Sequence, residues 1–115
     1  MAASINVTGS STSPNGTVTL AIPQENLSTP VLTVNQIPLS SGANTIAVPS
    51  GATCVIVQPP LSNTVLITLK GITGDTGVAL HKTLATGPIN LDSTQTSFVL
   101  TAASAITALT TITFI

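Results

Sequence analysis

His81 is the only histidine of the chain, and with Asp75, Asp92 and the many serines it supplies the residue types of a nucleophilic triad. In that chemistry an imidazole takes the hydroxyl proton while a carboxylate orients the ring. The spacing does not carry it through: there is no Gly-x-Ser-x-Gly elbow, and His81 has no partner at motif distance, so it reads as a surface or lattice histidine. The carboxylates Glu25, Asp75 and Asp92 are scattered. A divalent cation needs several oxygens converging, which leaves calcium only backbone oxygens or an axis where copies of one carboxylate meet. Cys54 is the single cysteine, so neither an intramolecular disulfide nor a thiolate zinc site can form. It lies in Thr53-Cys54-Val55-Ile56-Val57 with no Lys, Arg or His nearby in sequence, and reads as a small buried hydrophobe. Lys70-Gly71-Ile72-Thr73-Gly74-Asp75-Thr76-Gly77 has closely spaced glycines but lacks the Gly-Lys-Ser/Thr ending of a phosphate loop, and no helix is expected after it. It reads as a turn capped by Asp75, with Gly74 and Gly77 free to take positive φ. The expectation is a protein that is not an enzyme, with no catalytic residue, no cofactor and no metal.

Composition then becomes the main signal. Of 115 residues 43% are hydrophobic, 4% charged and 2% aromatic, with Thr and Ser abundant. A soluble domain ordinarily carries about 25% charged residues. Threonine hydroxyls can wet such a surface while the branched Cβ favours strands, and partners can cover the apolar remainder. Both point to assembly. With a net charge of -1, and Lys70 and Lys82 as the only cations, a phosphate backbone finds no basic patch. Phe98 and Phe114 are the only aromatic residues, too few for a base-stacking platform. No nucleic acid is therefore expected as a partner. Every apolar run is cut within a few positions by Thr, Ser, Asn, Pro or Gly, short of the roughly 18 residues of a membrane helix, so no membrane partner is expected either. Met1-Ala2-Ala3-Ser4-Ile5 lacks the basic and apolar segments of a signal peptide, and synthesis in a cytoplasm is expected. The glycosylation triplets at Asn6, Asn15 and Asn26 are read as chance in a chain this rich in Thr and Ser.

The elements that must position these residues are strands. Residues 1–16 are small and polar and end in Ser13-Pro14-Asn15-Gly16, which predicts an extended N-terminal arm closed by a turn, followed by a single β-domain over residues 17–115. From Thr17 onward Pro and Gly recur at intervals that suit strands and exclude long helices. Thr64-Val65-Leu66-Ile67-Thr68-Leu69-Lys70 alternates, with Val65, Ile67 and Leu69 on one face. Val18, Leu20 and Ile22 alternate likewise, as do Ile46 and Val48, and the C-terminal run offers Ile106, Ala108, Ile112 and Phe114 to one side. Residues 54–57 are apolar on both faces, so that strand is central in its sheet or covered by another subunit. Residues 101–105 are read as a turn, with a short helix as the alternative. The prediction is all-β: an antiparallel β-sandwich or small β-barrel of about seven to nine short strands, with Val65, Ile67, Leu69, Phe98 and Leu100 at the centre of the core.

A resemblance adds a function. Pro49-Ser50-Gly51-Ala52-Thr53, Val55-Ile56-Val57-Gln58-Pro59-Pro60, Ile67-Thr68-Leu69-Lys70-Gly71-Ile72-Thr73-Gly74-Asp75-Thr76-Gly77 and Ser97-Phe98-Val99-Leu100-Thr101-Ala102, about half the chain, resemble small virion structural proteins of tailed bacteriophages. The resemblance implies a capsid decoration (cement) protein, a homo-oligomer expected as a trimer, which binds the major capsid protein of the assembled head and stabilises the shell. A small tail or fibre β-module for attachment to the host surface is the alternative. Either places the protein in the virion, the first on the capsid surface. In the decoration reading the arm reaches a neighbouring subunit or the shell, with Ile5 and Val7 as its expected inter-subunit contacts, since they are its only sizeable apolar anchors.

Overall fold

The computed structural model describes residues 32–115 and, as backbone only, two N-terminal strands. These are β1 (Gly9–Ser13) and β2 (Gly16–Leu20), which pair antiparallel with Ser13 opposite Gly16. By backbone contacts the chain divides into two compact units, Met1–Val31 and Leu32–Ile115, whereas the sequence reading divides it after residue 16. Ile5, Val7, Ile22, Glu25 and the three glycosylation triplets' asparagines lie outside the described residues.

Residues 32–115 form an all-β antiparallel sandwich of eight strands, and no helix occurs among the described residues. They are β3 (Thr33–Leu39), β4 (Gly42–Ala47), β5 (Cys54–Gln58), β6 (Ile67–Lys70), β7 (Val78–Ala79), β8 (Ile89–Asn90), β9 (Ser97–Ala102) and β10 (Ile106–Phe114). One sheet has the order β3-β10-β5-β8 and the other β4-β9-β6-β7. The register explains the composition. In β9, Phe98, Leu100 and Ala102 point inward beside Ile46 of β4 and Ile67 of β6, while the opposite phase aligns Thr68 with Thr101 and Thr45 with Val99. In the other sheet Ile112 and Phe114 face inward with Val57 and Val55, leaving Thr111 and Thr113 beside Gln58 and Ile56. Threonine thus occupies much of the outward phase, where the sheet favours its β-branched shape; Thr45 meets water there, whereas the Thr101 hydroxyl is buried without a partner among the described residues.

Ile67, Phe98 and Leu100 are in the core as expected, with Phe114 tilted at 55° to Phe98 and ring centroids 6.2 Å apart. Val65 and Leu69 are only partly buried and pack at its margin. The double-sided apolar stretch is explained by β5 lying between β10 and β8, where Cys54, Val55 and Val57 are fully buried.

Two local expectations change. The strand foreseen over residues 64–70 begins only at Ile67, because the Asn63 side chain takes the backbone groups a ladder would use. Its Oδ1 accepts from Val65 N at 3.0 Å, and its Nδ2 donates to the carbonyls of Val65 and Lys82, both at 2.8 Å. In β10, Ala108 is exposed although it shares the inward phase. The β3–β10 register shifts between Ile106 and Thr110, a bulge that lifts residues 107–109 out before Thr110 resumes the inward phase. Residues 103–105 make the turn from β9 to β10, fastened by Ala103 N donating to Leu66 O at 3.0 Å.

Candidate functional site

The two sheets end on the same side in their shortest strands. β7 and β8 are two residues each, so neither covers the full length of the core's flank, and the sheets part there in a cleft of about 360 Å³. Its floor is apolar, formed by Val55, Leu69, Ile89, Leu91 and Phe98, and its rim is polar, formed by Lys70, Asp75, Asn90, Asp92 and Gln95. This is the general build of a ligand or partner pocket, an apolar basin with a few converging polar groups. The described residues carry four charged side chains, Lys70, Asp75, Lys82 and Asp92, and three of them stand at this one cleft. A second hollow of about 320 Å³ adjoins it between residues 48–52 and 93–96, and carries no charge.

Local sequence places each rim group. The glycine-rich stretch is the turn expected of it: Asp75 Oδ2 accepts from Ile72 N at 3.0 Å, and Asp75 N donates to Ile72 O at 3.1 Å. Gly77 returns the chain to β7 with φ of 76°, and a Cβ there would stand 2.6 Å from both Leu69 O and Lys70 Cγ. Only glycine fits that wall. Across the cleft Asp92 opens a turn in which its Oδ1 accepts from Thr94 N at 2.9 Å and from Thr94 Oγ1 at 2.6 Å, with Gln95 N donating to Asp92 O at 2.9 Å. The Thr94 hydroxyl, and after it the Thr94 amide, hold the Asp92 carboxyl below its ordinary 3.8, so it stands ionised at neutral pH. The Gln95 side chain is turned back onto Ser97 O.

His81 is not brought to either carboxylate by any hydrogen bond. Its Nδ1 accepts from Thr83 N at 3.1 Å and Leu84 N at 3.0 Å, which puts the ring hydrogen on Nε2 and makes the imidazole a cap for its own loop. Cys54 is buried within the sheet. Among the described residues no three His, Cys, Asp or Glu side chains stand close enough together to share a metal ion, and no helix is long and apolar enough to cross a membrane. Sequence reasoning treated Lys70, Asp75 and Asp92 one at a time and missed that they share a cleft. The available signal was their scarcity, since three of only five formal charges are spent on one locality. Comparison with protein-family models, curated proteins and solved structures finds no match to this chain.

Proposed function

We propose that this chain is a structural protein of a tailed-phage virion, of the capsid decoration type: copies bind the assembled head and stabilise it. The observation that carries the reading is the surface. A sandwich with four charged side chains leaves Leu61, Ile72, Val78 and Leu84 each more than half exposed, a surface better suited to being covered by neighbours than to standing alone in water. The reading is structural rather than enzymatic, and the local engagement of His81 supports it. In its mechanism, binding to the assembled shell, but not to free or unfolded capsid protein, stabilises each site by RT ln(1 + [L]/Kd), and many sites act together. The partners are the major capsid protein and further copies of the chain, with a trimer as the proposed order. Ile5 and Val7 are the proposed anchors of the N-terminal segment.

The test is made on purified particles, with copy number measured by quantitative mass spectrometry and position by electron microscopy of labelled protein. Many copies spread over the head are expected. A few copies at the tail would replace this reading with the tail or fibre module, and absence from the particle would end both.

A further inference from the structure

The cleft and the chain's remaining cation lie at opposite ends of the same strands. β6 runs from Ile67 to Lys70, and β5 from Cys54 to Gln58. The cleft takes Lys70 from the far end of β6 and Val55 from the near end of β5. At the other ends, Leu80 N bonds Ile67 O and Thr86 N bonds Val57 O, so the loop of residues 81–86 emerges away from the cleft. That loop carries Lys82, the only cation of the described residues that is not at the cleft. The same loop carries Leu84, 61% exposed, and the turn of residues 60–63, which Asn63 ties to it, carries Leu61, 78% exposed. The group is held in shape by Asn63, itself buried, whose Nδ2 grips the Lys82 carbonyl at 2.8 Å.

We propose that the cleft is the socket, and the Lys82 end the plug, of a head-to-tail contact between two copies of this chain. The match is one of chemistry. The socket has an apolar floor and two carboxylates against one ammonium, a net negative rim; the plug has two exposed leucines, one ammonium and no carboxylate in its loop. Its preformed loop has little ordering to lose on docking. Because plug and socket are held at opposite ends of one sandwich, a copy does not fill its own socket with its own plug. The contact is heterologous, and such contacts close into a ring, a trimer among them, or run on as a filament. The inference rests on the self-association proposed above and names the surface that performs it.

The experiment is analytical ultracentrifugation of the full chain from micromolar to sub-millimolar concentration, at low and high salt, on wild type, Lys82→Glu, Asp92→Lys and the double variant. Thermal melting confirms that each is folded; Asp75→Lys replaces the second reversal should Asp92→Lys not fold. Each single reversal sets like charges against each other and is expected to weaken association about tenfold or more, and the double variant to recover most of the loss. Leu84→Ser is expected to weaken association without moving the melting temperature, and high salt to weaken the wild type. A wild type that stays monomeric throughout overturns both this contact and solution self-association. An oligomer indifferent to the single reversals, or a double variant no better than the worse single one, overturns this contact alone and leaves self-association standing. The particle assay above is independent of all these outcomes.

Discussion

Thr110 is fully buried, and its hydroxyl has no hydrogen-bond partner among the described residues. It lies just past the bulge of β10, opposite Ile37 of β3 and two residues before the buried Ile112, on the inward phase of the sheet. Valine has nearly the same shape with a methyl in place of the hydroxyl, and strands accept both residues well. Thr110→Val therefore removes a desolvated, unsatisfied group without opening a cavity, and is expected to stabilise the domain by about 1–3 kcal/mol. For a domain of this size that raises the melting temperature by at least about 4 °C. Thr110→Ser provides the contrast: it keeps the hydroxyl, loses the methyl, and is expected to cost about 1 kcal/mol. The assay is equilibrium urea unfolding with thermal melting of the three proteins, read for the midpoint at unchanged slope. A Thr110→Val variant less stable than wild type by the roughly 1 kcal/mol of a net hydrogen bond would refute the reasoning, showing that a buried water satisfies the hydroxyl.

Three further outcomes are expected. Phe98→Ala removes a ring that is 5% exposed and meets Phe114, and should cost about 3–5 kcal/mol in the same unfolding assay; a loss under about 1 kcal/mol would mean that the ring is not core. Gly77→Ala forces a Cβ against Leu69 O and Lys70 Cγ at positive φ, and should destabilise by about 1–3 kcal/mol or more, with NMR shift changes centred on β6 and β7. The Asp92 carboxyl should titrate by NMR below 3.8, and Thr94→Val should raise its midpoint towards that value. Since its folded pKa is depressed, the stability it contributes is present above the unfolded pKa and is lost as pH falls through the folded one.

The fold was legible because its signals are short-ranged. Period-2 alternation placed Ile67, Phe98 and Leu100 inside, and the spacing of Pro and Gly marked the connections. Where a side chain competes with the ladder, or one strand gains residues against its partner, alternation misleads: Asn63 delays β6, and the bulge lifts Ala108 out of the inward phase. The same limit hid the cleft. Lys70 and Asp75 meet Asp92 only because β6 and β7 lie in one sheet, β5 and β8 in the other, and the last strand of each is too short to close the gap. No local pattern encodes a gap between two edges.

The place of β10 has a consequence for how the chain comes into being. It pairs with β3 on one side and β5 on the other, and Ile115 N and O close a further pair of bonds with Cys54. The sheet's first strand, β3, therefore waits for its last, and β5 has only the two-residue β8 until then. At a synthesis rate of about 5–20 residues per second, β3 stays without its neighbour for several seconds, and the contacts that reward closure are long-range. Closure of this sheet is thus held back until nearly all of the sandwich has been made. Through that interval the nascent chain holds apolar strands with almost no charge to keep them apart, so the sequence that suits assembly when folded is most exposed to misassembly just before it folds.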